Sequence, residues 1–345
     1  MNDLPIFGLN NSTSVCYLNS LLQCLFSTNS LNLKMLAEAD LIEQYKENNK
    51  HHIAAYINLV NVIAKHEGLN KEGSNLKVNP KAFVNIFVNM SKNFSQHQHQ
   101  DADEFLITLL DKFHEQLKKE RDPTNDLNSL NPQIDKCFIH YISAYKTGFS
   151  YITPMFHSQI RTKTFCTNCK HINRRYDIIT QLHLELPENV NSCTLYDCLD
   201  LFTRKEKLDE YKCDTCKSVG TTWKTIRPSI ISTHLIIVLK RFKYPHKINI
   251  PVEIPLQGLD VLKYIPNSDK ESFTKVFNPT KFQYNLYASV FHFGRLNVGH
   301  YYSIAKRKEK WHKFNDEIIS TTETISKEQF NQAYILFFRK EEIPV

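Results

Sequence analysis

A cysteine at the start of a predicted helix is the first group in this chain that could act as a nucleophile. The residues after Cys16 place leucines at helical spacing, at positions Leu18, Leu21, Leu22 and Leu25. The positive end of the helix dipole and the unpaired amide donors of the first turn favour a thiolate at that position. Asn11, five residues upstream, carries an amide that can fold back to stabilise an oxyanion beside Cys16. A cysteine at a helix start is more often a small buried apolar residue, so Cys16 alone leaves both interpretations open.

A thiolate nucleophile needs a base that takes its proton and later protonates the leaving amine. Among the 15 histidines, His300 differs in its context, because it follows Gly299 and begins a predicted strand. Glycine at that point lets the backbone approach a substrate closely. Asn315 and Asp316 follow in a short turn, where an amide or a carboxylate can hold the imidazole in the required tautomer. Asparagine and aspartate are also the residues of ordinary hairpin turns, so that interpretation remains open as well.

Four further cysteines form two C-x2-C pairs, which are Cys166 with Cys169 and Cys213 with Cys216. Two residues between the cysteines allow a tight turn to direct both sulfurs at one ion, and two such turns complete a closed tetrahedral site. A thiolate-only ligand set suits zinc, and a site with no open position is structural. One pair alone would be compatible with redox chemistry or chance, and four unrelated cysteines are the alternative here. The two pairs together predict a structural Zn²⁺ ion.

Composition is that of a globular protein. The chain has 345 residues, of which 41% are hydrophobic and 23% charged, which is enough for one large or two modest domains. The net charge of +7 is spread along the chain without a long basic run, which favours a solvated mixed surface over a nucleic-acid footprint. We therefore expect no nucleic-acid partner.

The sequence also bears on location. No run of about 18 apolar residues occurs, so we expect no membrane contact through a spanning helix. The first residues, MNDLPIFGLNN, lack the basic and apolar regions of a secretory signal. Nine cysteines without such a signal are expected to be reduced thiols or metal ligands. These features predict a protein of the cytoplasm, the nucleus or both.

Three stretches of different character must position these residues. The first, about 1–121, is mostly helical, with apolar faces at 53–64 and 101–117 and with Pro80 beginning a further helix. We expect a polar loop at 66–79 and a connector at 121–133.

The second stretch, about 137–231, contains the two cysteine pairs and a short alternating strand at 182–186. The third, about 235–345, is rich in predicted strands. They cover residues 235–239, 284–293, 300–305 and 333–338.

The segment from Gly8 to Gln23, GLNNSTSVCYLNSLLQ, resembles the cysteine box of the ubiquitin-specific proteases, G-L-x-N-x-G-N-T-C-Y-x-N-S-x-L-Q. HYYSIAKRKEKWHKFND is similar to their histidine box, G-H-Y followed by W-x-x-F-[ND]-D. HQDADEFLITLLD, LKRF and AYILFF resemble further family strings in the expected order. The departure is Thr13-Ser14-Val15, which replaces Gly-Asn-Thr before the cysteine, and Thr13 is stiffer than the family's glycine.

The resemblance implies an α+β fold, that of a papain-like cysteine protease with thumb, palm and zinc-bearing fingers subdomains. A single catalytic domain would cover residues 1–345. Its helical thumb would occupy about 1–135, and the fingers, with the Cys₄ zinc site and part of the palm, about 136–232. The strand-rich palm would occupy about 233–345. Cys16 and His300 would meet at the cleft between thumb and palm.

The resemblance also implies a reaction. A deubiquitinating thiol protease of this kind hydrolyses the isopeptide or peptide bond after the C-terminal glycine of ubiquitin. By position, Cys16 matches the nucleophile, His300 the base and Asn315 the orienting residue of a Cys-His-Asn triad. Asn11 matches the oxyanion donor, and Asp316 matches the acidic residue next to the triad.

The tail of ubiquitin is basic, and the resemblance assigns residues to it. Asp101 matches a position that contacts this tail, Glu104 lies one turn further on, and Tyr301 matches another tail-contacting position. Carboxylates there would pair with the tail arginines. The alternative for both acids is stabilisation of a helix N-terminus. His99 stands where many members have glutamine.

Other functions remain to be separated from this one. A catalytically weak or inactive ubiquitin-binding scaffold of the same fold is favoured by the Thr13-Ser14-Val15 departure and opposed by the retained Cys16 and His300. A zinc-stabilised nucleic-acid-binding protein is opposed by the lack of a basic, aromatic-interleaved face in the sequence. A related modifier could replace ubiquitin. The expected partners are ubiquitin and ubiquitylated proteins.

Overall fold

The computed structural model describes residues 3–11, 14–38, 51–65, 76–91, 94, 100–120, 136–243, 245–270, 282–295 and 298–341. The predicted connector 121–133, residues 66–75 of the predicted loop, Thr13 and His99 lie outside these ranges. Within the ranges, no helix combines the length and the apolar character needed to cross a bilayer.

Helices dominate the first third of the chain, as predicted. They are α1 (Cys16–Phe26), α2 (Asn29–Ala37), α3 (His51–Ala64), α4 (Lys81–Met90) and α5 (Ala102–Leu117). Further along the chain are α6 (Lys136–Ala144), α7 (Ile152–Phe156) and α8 (Leu195–Thr203). Two short 3₁₀ turns lie at Leu262–Tyr264 and Gln329–Asn331.

Strands dominate the remainder. They are β1 (Gly8–Leu9), β2 (Lys77–Val78), β3 (Ser158–Cys166), β4 (Ile172–Ile179), β5 (Leu182–Leu184), β6 (Cys193–Thr194), β7 (Glu206–Leu208), β8 (Thr222–Ile230), β9 (His234–Leu239), β10 (Phe242–Lys243), β11 (His246–Lys247), β12 (Val252–Glu253), β13 (Leu259–Asp260), β14 (Gln283–Arg295), β15 (Val298–Arg307), β16 (Lys310–Asn315), β17 (Ile318–Thr322) and β18 (Ala333–Lys340).

The chain forms two compact units, each built from separate segments. The first unit consists of Met1–Leu117, Val238–Glu253 and Leu286–Phe338. The second consists of Lys118–Ile237, Ile254–Asn285 and Arg339–Val345. Strands β9, β14 and β18 each contribute residues to both units.

Helix α1 lies in the core of the first unit. The leucine spacing predicts an amphipathic helix, but every residue of α1 is buried, including Asn19, Ser20 and Gln23. The helix packs on β15, and two of its polar side chains donate hydrogen bonds to backbone carbonyls. Gln23 donates to the carbonyl of Phe7 at 2.9 Å, and Ser20 donates to the carbonyl of Tyr17 at 2.9 Å. Burial of Gln23 and Ser20 is possible because each of these side chains has a hydrogen-bond partner.

Aromatic pairs join the helices of the first unit. The rings of Phe87 and Phe105 lie 4.6 Å apart and link α4 to α5. The ring of Tyr56 on α3 lies 5.1 Å from that of Phe113 on α5. Such edge-to-face pairs add about 1 kcal/mol each to the burial of their area. The apolar faces predicted at 53–64 and 101–117 therefore form the core that supports α1.

The sheet of the first unit follows the order β17-β16-β15-β14-β18-β9. Every residue of β9 is buried, as is β18 from Ala333 to Phe338, which confirms both predicted buried strands. Strand β15 pairs antiparallel with β14, and His300 lies opposite Phe293. The residue directly before His300 is Gly299, where an added Cβ would collide with the ring of His292.

The second unit contains a four-stranded antiparallel sheet with the order β4-β3-β8-β7. No strand is predicted from the sequence over residues 158–179 or 222–230. The reason lies in β4, INRRYDII, in which no residue is fully buried, so no apolar alternation marks it. Helix α6 belongs to the same unit, and its Cys137 and Phe138 pack with Ile230 of β8.

Arg307 joins β15 to α1 inside the first unit. Its guanidinium is fully buried and donates to the side-chain oxygen of Gln23 at 2.5 Å and to Ser27 at 2.9 Å. The ring centres of Phe7 and Phe314 lie 5.1 and 4.5 Å from the guanidinium carbon. Because Cys16 is on α1 and His300 is on β15, this contact connects the two elements that carry them.

We expect Arg307→Met to lower the free energy of unfolding by ~3 kcal/mol, because several buried acceptors lose their donors at once. Urea denaturation measures the change. The control is Lys306→Met, the neighbouring residue, whose ion pair with Glu309 at 2.7 Å is near the surface and contributes about 0.5 kcal/mol. Equal losses in the two variants would contradict the assignment of Arg307 as the buried connection.

Candidate active site and metal centre

Cys16 is the first residue of α1 and is 3% exposed. The residue before it, Val15, provides no side-chain cap to the helix. The amide of Val15 instead donates to the side-chain oxygen of Asn11 at 3.3 Å. The sulfur therefore lies at a helix start whose first-turn donors are not occupied by a capping side chain, as the sequence predicts.

His300 lies on β15 and connects to Cys16 and Asn315. Its Nε2 is 2.5 Å from Oδ1 of Asn315. A hydrogen bond to Cys16 raises the pKa of His300 to about 9. Burial opposes this shift, while the Asn315 hydrogen bond and the charge of Asp316 add to it. The structure thus brings together in the first unit the nucleophile, base and orienting residue that the sequence predicts.

The turn after β16 determines which neighbour orients the imidazole. Asn315 pairs with Ile318 across a two-residue hairpin, and Asp316 adopts the left-handed backbone conformation with a φ of 50° that such turns require. The Oδ2 atom of Asp316 is 3.8 Å from Nε2 of His300, beyond hydrogen-bond distance. Asn315 therefore makes the direct contact with His300. The turn that follows it is an ordinary hairpin turn that also contributes to the candidate site.

Asp316 does not bond to His300 but to residues near Cys16. Its two oxygens accept hydrogen bonds at 2.8 Å from the amides of Asn11 and Asn19. Its carbonyl accepts from the amide of Leu9 at 2.9 Å. These bonds tie the loop before Cys16 and the first turn of α1 to the turn that carries Asn315. Asp316 thus links the segments that carry Cys16 and Asn315.

Asn19 was not predicted as a site residue. It lies three residues after Cys16, one turn along α1, and is 1% exposed. Besides Asp316, its amide donates to the carbonyl of Asn10 at 3.3 Å. The signal available in the sequence was a buried-face position occupied by a polar residue, since Asn19 falls between Leu18 and Leu21 in an otherwise apolar turn.

The predicted tail-binding residues lie around the start of α5. Asp101 precedes the helix, and its carboxylate accepts from the amide of Asp103 at 2.7 Å and from the hydroxyl of Tyr334 at 2.8 Å. Burial raises the pKa of the Asp101 carboxyl. Tyr301 is buried, and burial raises the pKa of its hydroxyl. Glu104 is exposed on α5. Tyr334, missed in the sequence, is the partner that holds Asp101.

The two cysteine pairs meet in the second unit. The four sulfurs all lie within 4.8 Å of one another. Cys166 and Cys216 have sulfurs 3.7 Å apart, as have Cys169 and Cys213. A tetrahedral site with Zn–S bonds of about 2.3 Å requires sulfur separations of about 3.8 Å. The cluster can therefore hold a metal ion, and its geometry and donor type fit zinc.

Both halves of the cluster have the same backbone design. The amide of Cys166 donates to the carbonyl of His171 at 3.0 Å, and that of Cys213 donates to the carbonyl of Ser218 at 2.9 Å. The residues following the second cysteine of each pair, Lys170 and Lys217, have left-handed φ values of 61° and 63°. Each pair thus ends in a tight reverse turn, the local structure predicted from the C-x2-C spacing.

Sequence comparison relates the chain to known proteins. The family model described as ubiquitin carboxyl-terminal hydrolase matches residues 7–338. The probable ubiquitin carboxyl-terminal hydrolase 4 of Schizosaccharomyces pombe is 28% identical over 365 residues, covering 99% of this chain and 60% of that protein. Human ubiquitin carboxyl-terminal hydrolase 3 is 28% identical over 368 residues, covering 96% of this chain and 67% of the human protein. The chain therefore spans about three fifths to two thirds of these two relatives.

Solved structures show the same fold. The SAGA Ubp8/Sgf11/Sus1/Sgf73 DUB module bound to ubiquitin aldehyde has a TM-score of 0.70 at 23% identity, covering 98% of this chain and 70% of that chain. The yeast SAGA DUB module with an Sgf73 mutant has a TM-score of 0.71 at 21% identity, covering 98% and 69%. These matches confirm the predicted α+β fold. The family match extends over nearly the whole sequence, and the chain belongs to the ubiquitin carboxyl-terminal hydrolase family.

Proposed function

We propose that this chain is a deubiquitinating thiol protease that cleaves the isopeptide or peptide bond after the C-terminal glycine of ubiquitin. The observation that carries the proposal is the hydrogen-bonded series Cys16, His300 and Asn315, because a nucleophile, a base and an orienting amide in this order form a catalytic triad. Family membership supports the reaction. The neighbour bound to ubiquitin aldehyde supports ubiquitin as the substrate.

The proposed reaction is acyl transfer through a thioester. Since Asn315 occupies Nε2 of His300, Nδ1 is the nitrogen that exchanges a proton with Cys16. The thiolate attacks the carbonyl carbon of the terminal glycine, and the imidazolium gives its proton to the departing lysine amine. Water then loses a proton to His300 and attacks the thioester. This releases the carboxylate of ubiquitin and restores the Cys16 thiol.

Two donors are proposed for the oxyanion of each tetrahedral intermediate. One is the backbone N–H of Cys16, and the other is the side-chain amide of Asn11. One hydrogen of that amide is bonded to Asp316, which orients the group and leaves its second hydrogen for the oxyanion. Each such donor typically stabilises the transition state by ~3 kcal/mol.

The substrate tail is proposed to pass the start of α5. Asp101, held by Tyr334, and Glu104 present carboxylates for the arginines of the ubiquitin tail. Tyr301 would line the narrow passage where only glycine residues fit. These three assignments rest on position in the fold and on the resemblance of the Asp101 segment to the family.

We further propose that the four-cysteine cluster binds a structural Zn²⁺ and belongs to a fingers subdomain. Closure by four thiolates leaves no coordination position for substrate, so the ion would stabilise the fold only. None of the nine cysteines, all of which lie in the described residues, is in a disulfide, which supports a reducing compartment, the cytoplasm or the nucleus.

A ubiquitin probe with an electrophile in place of its C-terminal carboxylate tests the proposed reaction. We expect one covalent adduct on the native chain, which peptide mapping places on Cys16, and none on Cys16→Ala. Cys24→Ala is the matched control, because Cys24 is a buried thiol two turns along α1, and it should be labelled fully. If ubiquitin binds without forming an adduct, the chain is the inactive scaffold. If ubiquitin neither binds nor forms an adduct, the hydrolase and the scaffold are both rejected.

A further inference from the structure

The four-stranded sheet of the second unit has one face with a concentration of cations. Lys163 on β3 lies directly opposite Arg174 on β4, and Arg161, two residues before Lys163, lies opposite Arg227 on β8. Directly paired residues share a face, as do residues two apart on one strand. Lys163, Arg174 and Arg227 therefore point to the same side of the sheet, which we name the basic face.

Neighbouring elements extend the basic face. Trp223 on β8 lies opposite Phe165 on β3 and so shares this side, and the ammonium of Lys205 lies 4.4 Å from the centre of its ring. At the β4 edge of the sheet, helix α6 and strand β4 line a cleft of about 430 Å³. The residues lining the cleft are Lys136, Ile139, His140, Ile172, Arg174 and Tyr176.

Ion pairs occur on both faces of the sheet, but on the basic face they leave out three of its cations. Lys207, which lies opposite Trp223 on this face, pairs with Asp209 at 2.9 Å. On the opposite face, Arg175 pairs with Asp177 at 2.7 Å, and Lys224 pairs with Glu206 at 3.0 Å. On the basic face, no carboxylate of the described residues forms an ion pair with Lys163, Arg174 or Arg227. Asp269, which lies near Arg161, is already bound to it at 2.7 Å.

The cations of the basic face are close enough to Lys163 to affect its ionisation. Partial burial lowers its pKa, and the charges of Arg174, Arg161 and Lys205 lower it further. Like charges that remain close together without an anion between them attract an acidic ligand from solution. Of the three basic-face cations, Lys163 and Arg227 are half-buried and Arg174 is exposed.

The aromatic rings of the basic face favour an acidic peptide over a nucleic acid as the ligand. A nucleic acid that binds a basic, aromatic surface stacks its bases on open ring faces. Here one face of Trp223 is covered by Lys205, and the ring of Tyr176 is stacked on His140 with centres 4.8 Å apart. These contacts occupy ring surface that base stacking needs, whereas carboxylates need only the cations.

We propose that the basic face is a docking surface for an acidic peptide segment, rich in aspartate and glutamate, of a protein partner. The segment lies across Lys163, Arg174 and Arg227 and reaches the cleft beside α6, where Lys136 supplies further positive charge. This surface does not depend on the proposed hydrolase activity, because it binds through charges in the second unit alone.

Fluorescence anisotropy with a labelled poly-glutamate peptide tests the proposal on the full chain. We expect binding that weakens steeply with salt. The double variant Lys163→Glu and Arg174→Glu should weaken it by at least about tenfold, since each reversal replaces an attraction with a repulsion. The charge-neutral pair Lys163→Gln and Arg174→Gln should give a smaller loss. Thermal melting shows whether each variant remains folded.

The control variant is Arg175→Glu, which changes the same charge at the next position of β4 but on the opposite face. It should alter the affinity for poly-glutamate by less than about twofold. An equal loss in Arg175→Glu would show that net charge alone drives binding, and no binding by the native chain would also overturn the proposal. Tighter binding of single-stranded oligothymidine than of poly-glutamate would replace the acidic peptide with a nucleic acid.

Discussion

Replacing His300 with glutamine should lower kcat/KM for release of a fluorophore from the C-terminus of ubiquitin by about a thousandfold or more. Glutamine retains a hydrogen-bonding side chain but neither takes the proton of Cys16 nor gives one to the leaving amine. His246→Gln is the control, because His246 is exposed on β11, and it should leave the rate unchanged. A loss smaller than about tenfold in His300→Gln would remove His300 from the proposed acid–base role.

The pH profile of the same reaction tests the connection between His300 and Asn315. Since the hydrogen bond to Cys16 raises the pKa of His300 to about 9, the imidazole remains protonated at neutral pH. The rate should therefore fall as the pH rises through about 9, where the proton for the leaving amine is lost. Asn315→Ala removes one of the bonds that raise this pKa, so its alkaline limb should move to lower pH. An unmoved limb would separate Asn315 from the base.

The same shift affects stability in a defined window. The pKa of His300 is raised from 6.5 in the unfolded reference to about 9 in the folded chain. Its contribution to stability is therefore complete below pH 6.5 and is lost as the pH rises to about 9. The side chain is 42% exposed, so solvent screening reduces the size of this contribution.

Removing the metal should have the second large effect. Because binding of a structural zinc ion is coupled to folding, we expect chelation to lower the midpoint of thermal unfolding by about 10 °C or more. Cys213→Ser should do the same, since it leaves three ligands. Cys193→Ser is the control, because Cys193 is a buried thiol of the same unit outside the cluster, and it should keep its zinc. Metal analysis must show about one zinc ion per native chain.

Unchanged melting of the chelated chain, with the loss of zinc confirmed by metal analysis, would contradict the structural role. Equal losses of stability in Cys213→Ser and Cys193→Ser would indicate that any buried thiol of this unit contributes to stability, independent of metal. The two measurements together separate coordination from packing.

Helices, turns and buried strands could be predicted wherever residues a few positions apart form a recognisable pattern. The helix that begins at Cys16, the two C-x2-C turns and the buried strands 235–239 and 333–338 all follow from neighbours within a few residues. Helical periodicity, tight turns and continuous apolar runs are local properties, and they do not depend on the rest of the fold. The turn after β16 is also local, but its predicted position is wrong by one residue, because Asn315 ends the strand and Asp316 begins the turn.

Contacts between distant segments could not be predicted in this way. Asn19 looks like a polar interruption of an apolar helix until Asp316, 297 residues away, accepts its hydrogen bond. Arg307 looks like one more surface cation in a charged run, but Gln23 and the rings of Phe7 and Phe314 enclose it. Burial and pairing of polar groups depend on which elements pack together, and no local pattern records that.

The sheet of the second unit shows the same limit. The polar strand β4 carries no apolar alternation, so only pairing with β3 reveals it as a strand and places Lys163 opposite Arg174. By itself the sequence singled out Cys16, His300 and the four paired cysteines as candidates for nucleophile, base and metal ligands, because each lies in a distinctive local pattern. The tertiary structure alone decided that Asn315 rather than Asp316 contacts His300 and that the cations gather on one face. Hydrogen-bond distances and strand register are set by the packed fold.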